Sequence, residues 1–170
     1  MDGSMKRCVR GVLLILALLS LAAAEGRSQE WVVAINPGLK MGWVLGEGGG
    51  PFYGVEISLS AVLNSYDAGK SGGYGFGLVF NRYSVNGRRV THVGVEAMYR
   101  GLGLQAGPTF VRELDGGSNT GISVEGFYGA IVFAHAERTF MFDGTSWWHA
   151  GFYGKLPIPI AGRLKGLGPG

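Results

Sequence analysis

Alternation with a period of two is the feature that most constrains this chain. Residues 74–81 read YGFGLVFN, in which large apolar residues alternate with small or polar ones, and residues 92–99 (HVGVEAMY) repeat the pattern. This period indicates β-strands whose two faces differ. After Trp31, glycine or alternation interrupts every window that could form an amphipathic helix. The sequence therefore predicts an all-β protein.

Turn signals divide the chain into successive strand-like runs. The clearest signal is Asn86-Gly87, because both residues accept the positive φ that a type I′ hairpin turn needs. An alternative is one long bent strand over 120–141, which would reduce the strand count to seven. With a boundary at Gly129 there are eight runs, at about 31–45, 52–63, 73–85, 89–99, 102–113, 120–128, 129–141 and 146–158.

The N-terminus has the three parts of a secretory signal peptide. A basic start precedes the apolar run VLLILALLSL at 12–21, and three alanines then precede Glu25. The run is shorter than the roughly 20 residues of a membrane-spanning helix. We therefore expect a signal peptide at 1–24, a barrel at 25–160 and a C-terminal tail at 161–170. The only cysteine, Cys8, lies in the signal, so the exported chain contains no disulfide.

The charged residues argue against a nucleic-acid partner and favour a barrel with its polar side chains inside. Without residues 1–24 the chain has 12 basic and 11 acidic residues, so no basic field remains for nucleic acid. Only 23 charges serve these 146 residues, and most fall on the strand face opposite the large apolar side chains. A soluble barrel has apolar residues inside and a charged exterior. The inverted arrangement places lipid outside and a polar lumen inside.

A sheet in a bilayer must close, because an open edge would leave backbone groups without partners. Eight runs of about 10 residues fit the smallest such barrel, whose interior is filled by side chains and leaves no pore. The sequence thus predicts a closed antiparallel up-and-down transmembrane β-barrel of eight strands. Three glutamates, each within an apolar run, are then expected to point inward: Glu56, Glu96 and Glu125.

The expected lumen carries a network of polar side chains. A buried carboxylate is costly unless paired, so basic partners are expected nearby. Hairpin counting across residues 46–51 predicts that Lys40 lies close to opposite Glu56. The full predicted network is Lys40, Glu56, Asn81, His92, Glu96, Gln105, Glu125, His135, Glu137, His149 and Lys155.

Aromatic residues near the strand ends predict two interfacial belts. Trp43 and Tyr53 flank the first hairpin loop and Trp148 follows the last one, while Tyr99 and Tyr128 lie at the opposite turns. Rings of this kind occupy both membrane interfaces in barrels of this class.

With its signal peptide, strands such as GGYGFGLVFNRYS and aromatic strand ends, the chain resembles the small eight-stranded outer-membrane β-barrels of Gram-negative bacteria, of the outer-membrane protein A transmembrane-domain type. The resemblance covers about residues 31–158. It implies the cell outer membrane, contact with membrane lipid and the insertion machinery, periplasmic termini, and no catalysis or cofactor. Loops near 46–51, 86–89, 114–119 and 142–146 would face outward. The end departs from the family pattern, because Tyr153 is followed by Pro157, Pro159 and the tail AGRLKGLGPG.

Other functions are open to a barrel of this size. One is a soluble periplasmic barrel that binds a small apolar ligand as lipocalins do. Another is a lipid A deacylase, which needs a serine beside its histidine. Ser146 lies three residues before His149, which in a strand places the two on opposite faces.

The histidines lie near glutamates but share no tight ligand spacing, so we expect neither a catalytic residue nor a metal site.

Overall fold

The computed structural model describes residues 30–46, 49–64 and 74–161. The predicted signal peptide, the whole link between Asn64 and Tyr74, and the tail beyond residue 161 lie outside the described residues. Within these ranges no helix has the length and hydropathy needed to cross a membrane.

The described residues form strands that pair in chain order and close into a barrel. Every neighbouring pair is antiparallel, and the first strand pairs with both the second and the eighth. The predicted closed antiparallel barrel of eight strands is therefore confirmed. The seven-strand alternative is wrong, because Ala130 and Ile131 form a turn between two strands. The strands are β1 (Glu30–Leu45), β2 (Gly50–Asn64), β3 (Tyr74–Val85), β4 (Arg88–Tyr99), β5 (Leu102–Arg112), β6 (Ser118–Gly129), β7 (Val132–Met141), β8 (Ser146–Lys155) and β9 (Ile158–Ala161).

The short strand β9 continues the line of β8 along the same edge of β1. Strand β8 pairs with β1 residues 38–45, and β9 pairs with residues 33–35. The break falls at Pro157, which has no backbone N–H to contribute to a ladder. Beside it, the Leu156 N–H donates a hydrogen bond to the Pro37 carbonyl oxygen at 3.0 Å. The predicted last strand over 146–158 is thus divided in two.

Hairpins define the two ends of the barrel. The β1–β2, β3–β4, β5–β6 and β7–β8 turns lie at one end, here named the loop rim. The β4–β5 and β6–β7 turns and the start of β1 lie at the opposite rim. At the loop rim, Asn86 (φ 47°) and Gly87 (φ 78°) adopt the positive φ expected from the sequence. The Thr145 hydroxyl and N–H donate to the Asp143 carboxylate and lower its pKa below the usual value.

Side chains alternate between a buried interior and an exposed exterior along the strands. In β7, for example, residues 133, 135, 137, 139 and 141 are buried, while most of the intervening residues are exposed. Polar side chains occupy much of the interior, as the alternation predicts, and large apolar side chains cover the outer face.

Glycines allow β1 and β8 to approach closely where the barrel closes. Gly42 and Gly151 are directly opposite each other across this pair. A Cβ on Gly151 would overlap the Met41 carbonyl oxygen and the Gly42 Cα, so no side chain fits there. The close contact between these two strands therefore depends on glycine.

We expect Gly151→Ala to destabilise the barrel by about 1–3 kcal/mol, the usual cost of forcing extra atoms into a packed site. Gly126→Ala is the matched control, since its Cβ would meet no atom closer than 3.8 Å. Urea unfolding followed by circular dichroism gives both midpoints. Equal midpoints for the two variants would show that the closure does not require a bare backbone at residue 151.

Candidate functional site

The structure places all eleven residues of the predicted lumen network inside the barrel. Glu96 is partly buried, and the other ten are buried. They come from β1, β2, β3, β4, β5, β6, β7 and β8, so every strand of the barrel contributes. Their contacts divide into two ion clusters and a row of hydroxyl groups.

The first ion cluster is centred on Lys40, which reaches across the lumen from β1. Its Nζ forms an ion pair with Glu125 and lies 3.3 Å from a carboxylate oxygen of Glu137. These two glutamates are direct partners on β6 and β7. His149 Nε2 lies 2.5 Å from the Glu137 carboxylate, and His135 Nδ1 lies 3.6 Å from that of Glu125. One ammonium group thus bridges two carboxylates that each have a histidine beside them.

The second ion cluster is centred on Lys155 of β8. Its Nζ lies 2.6 Å from a carboxylate oxygen of Glu56 and 2.7 Å from one of Glu96, on β2 and β4. The ring of Tyr153 separates the two clusters, with its centroid 5.1 Å from Lys155 Nζ and 5.8 Å from Lys40 Nζ. Both lysines therefore face carboxylates on one side and an aromatic ring on another.

The expected pairing of Lys40 with Glu56 is wrong. Val44 pairs with Gly50, so Gly54 lies opposite Lys40 and Gly38 lies opposite Glu56. The prediction assigned Gly50 and Pro51 to the loop, whereas both belong to β2, and the shorter loop shifts the register by two residues. The direct cation partner of Glu56 is Lys155.

A row of hydrogen bonds crosses four neighbouring strands and ends at the first ion cluster. His92 Nδ1 lies 3.1 Å from the Thr109 hydroxyl, which lies 2.6 Å from the Ser123 hydroxyl. Ser123 in turn lies 2.8 Å from Thr139, whose hydroxyl donates to Glu137 at 3.3 Å. Thr139 was not predicted as part of the network, although it lies two residues after Glu137 and so shares its face.

Amide side chains occupy positions between charged residues of adjacent strands. Gln105 is the direct backbone partner of both Glu96 and Glu125. Asn81 lies in the same way between Glu56 and His92. Gln105 therefore separates two glutamates, and Asn81 separates a glutamate from a histidine.

Two apolar clusters lie inside the barrel, one toward each rim, and the sequence analysis missed both. Inside the loop rim, the Phe52 ring stacks on that of His149 with centroids 5.0 Å apart. Toward the opposite rim, Phe133 stacks on Tyr153 at 4.9 Å. The first cluster comprises Val44, Phe52, Tyr83, Val85, Val90, Val111 and Met141, and the second comprises Phe127, Phe133 and Tyr153.

The aromatic residues predicted as belts lie on the outer face. Trp43, Tyr53 and Trp148 are exposed near the loop rim, and Tyr99 and Tyr128 are exposed near the opposite rim. The structure adds Tyr74, which stacks on Tyr99 with ring centroids 4.8 Å apart. Alternation could have identified it, because Tyr74 begins a strand and shares the face of Phe76.

The lumen presents donor atoms of the kind that zinc binds. Atoms of Glu125, His135 and His149 lie within 4.8 Å of one another. The Lys40 ammonium already occupies this region, however, where it pairs with Glu125 and Glu137. Ser146 is exposed and His149 is buried, so the pair considered for a deacylase lies on opposite faces. The geometry therefore favours mutual neutralisation of buried charges.

No family model, curated protein or solved structure matches this chain.

We expect the coupling energies of Glu56 to distinguish its two lysine neighbours. Lys155→Met should lower the free energy of unfolding by about 3–5 kcal/mol, because it leaves buried carboxylates unpaired. Adding Glu56→Gln should recover part of that loss. Double-mutant cycles from urea unfolding should give a larger coupling for Glu56 with Lys155 than for Glu56 with Lys40. The reverse order would contradict the observed pairing.

Proposed function

We propose that this chain is an integral outer-membrane β-barrel with a structural role, which contacts lipid through its outer face and has no catalytic activity. The observation that carries the proposal is the exposure of large apolar side chains on all eight strands of the barrel. Representative residues, one from each strand, are Met41, Ile57, Leu78, Val95, Leu104, Val124, Phe140 and Phe152, all between 41% and 63% exposed.

Such a surface is costly in water and favourable in lipid. Monomeric soluble proteins rarely expose a continuous apolar patch larger than a few hundred Å². Here the apolar band surrounds the barrel while lysine, glutamate and histidine lie inside it. This distribution is the one that membrane barrels use.

The height of the apolar band agrees with this environment. On β1 the outward residues run from Ile35 to Leu45, which are ten residue steps apart along the strand. Ten steps span about 33 Å along a strand, or about 25 Å along the axis of a barrel whose strands tilt by about 40°. That height is close to the apolar band of about 25 Å that is typical of outer-membrane barrels.

The filled lumen supports a membrane role over carriage of an apolar ligand. Two ion clusters and a row of hydroxyl groups occupy the centre of the barrel, where a lipocalin-like protein would need an apolar cavity. The hairpin loops are also short, with two residues between β3 and β4 and five between β5 and β6. We therefore propose a structural or adhesion role, with the loop rim facing outward, and membrane lipid and the insertion machinery as partners.

We expect Ile57→Arg to impair insertion into lipid by about 2–4 kcal/mol, because residue 57 lies near the middle of the apolar band on β2. Tyr53→Arg, on the same strand and face but near the loop rim, should cost only about 0–1 kcal/mol. Folding into phosphatidylcholine vesicles, read as heat-dependent gel mobility, compares the two variants with the natural chain.

A soluble barrel would give the opposite result. In water, arginine at residue 57 replaces an exposed isoleucine and should leave folding unchanged or improve solubility. The membrane proposal is wrong if the chain folds without detergent or lipid, remains in the soluble fraction after export, and tolerates Ile57→Arg as well as Tyr53→Arg.

A further inference from the structure

Three arginines lie together on the outer face at the loop rim. Arg89 of β4 is the direct backbone partner of Arg112 of β5, and Arg82 of β3 lies opposite Thr91 of β4. All three arginines are exposed. With Thr91, Phe110 and Thr120 they line a cleft of about 260 Å³, here named the arginine cleft.

None of the carboxylates in the described ranges pairs with an arginine of the arginine cleft. Among the described residues, no carboxylate oxygen lies within 4 Å of Arg82, Arg89 or Arg112. By contrast, Arg88 pairs with Glu113 at 2.8 Å. Like charges directly opposite each other across two strands are destabilising, so the Arg89–Arg112 pair has an energetic cost that a bound anion would relieve.

The position of the cleft indicates which anion would reach it. Further from the loop rim, toward the middle of the barrel's height, the same outer face carries Phe80 of β3, Val93 of β4 and Ile122 of β6. All three are exposed apolar residues. A molecule bound here would therefore place a negative group against the arginines and an apolar group against the band. Arginine forks bind phosphate with two parallel hydrogen bonds, and the threonine hydroxyls add further donors.

We propose that the arginine cleft binds the phosphate group of an anionic lipid whose acyl chains lie along the apolar outer face. The assignment of a lipid as the source of the phosphate rests on the proposed membrane function. The interaction is reversible and non-covalent. It would order the headgroup on the β3–β5 side of the rim, while Trp43 and Trp148 occupy the β8–β1 side.

Titration calorimetry of the full chain in a maltoside detergent tests this proposal. The probes are dihexanoyl phosphatidic acid, dihexanoyl phosphatidylcholine and inorganic phosphate. Phosphatidic acid should bind more tightly than either of the others, because only it combines an accessible phosphate monoester with acyl chains. Its affinity should fall as sodium chloride is raised, since the arginines are exposed.

Variants of paired and unpaired arginines provide the controls. Arg89→Gln and Arg112→Gln should each weaken phosphatidic acid binding by about tenfold, the effect of losing one charge-assisted hydrogen bond. Arg88→Gln, next in sequence but paired with Glu113, and Arg100→Gln, at the opposite rim, should leave it within about twofold. Arg89→Lys keeps the charge without the fork and should fall between these results. Circular dichroism checks that each variant is folded.

Several results would overturn the proposal. Equal affinity for inorganic phosphate would identify a site for free anions, and equal affinity for phosphatidylcholine would identify apolar contact alone. Binding that is absent, or unchanged in both Arg89→Gln and Arg112→Gln, would also overturn it. If phosphatidic acid binds through Arg89 but the chain does not insert into vesicles, only the membrane proposal is wrong. If insertion depends on Ile57 but phosphatidic acid does not bind, only the cleft proposal is wrong.

Discussion

Two lysines buried inside the barrel must be paired, and closure of the barrel provides their partners. Removing an ion from water costs several kcal/mol even after the protein relaxes. Lys40 on β1 reaches β6 and β7, and Lys155 on β8 reaches β2 and β4. These contacts join strands that are not neighbours in the sheet, so an open sheet would leave both lysines without these carboxylate partners. Strand pairing at the β1–β8 closure and charge pairing in the lumen therefore form together when the barrel folds.

The apolar clusters inside each rim increase the strength of this coupling. Toward the loop rim, Phe52 stacks on His149 of the first ion cluster, and toward the opposite rim the Phe127 ring centroid lies 5.6 Å from Lys155 Nζ of the second. Electrostatic attraction is stronger in such an interior, and the penalty for an unpaired charge rises with it. The interior thus combines a charged middle layer with apolar ends, and within that layer four glutamates pair with two lysines.

Alternation predicted which residues lie inside, because a period of two fixes the face of each side chain once a strand is recognised. It assigned Lys40, His92 and Lys155 to the interior, and their side chains are buried in the structure. It could not identify the ion partners, since these cross the lumen and depend on register, and a two-residue error in the first loop assigned Glu56 to the wrong lysine. The apolar residues of the interior share the faces of the glutamates, so the pattern contained them, but only packing shows that they cover the ion clusters.

The apolar stretch on the outer face is longer on some strands than on others. The arginines lie where the stretch is short. On β1 the apolar residues extend over ten residue steps, from Ile35 to Leu45, whereas on β3 they extend over six, from Tyr74 to Phe80, and the next outward residue is Arg82. At about 3.3 Å per residue, these lengths differ by about 13 Å along the strands. A bilayer that matched β1 would reach the arginines on the β3 side, where long side chains can extend toward the headgroups. Aromatic residues on one side of the loop rim and arginines on the other would then both lie at the level of the headgroups. A lipid bound at the arginine cleft would therefore lie on the β3–β5 side of the barrel, away from Trp43 and Trp148.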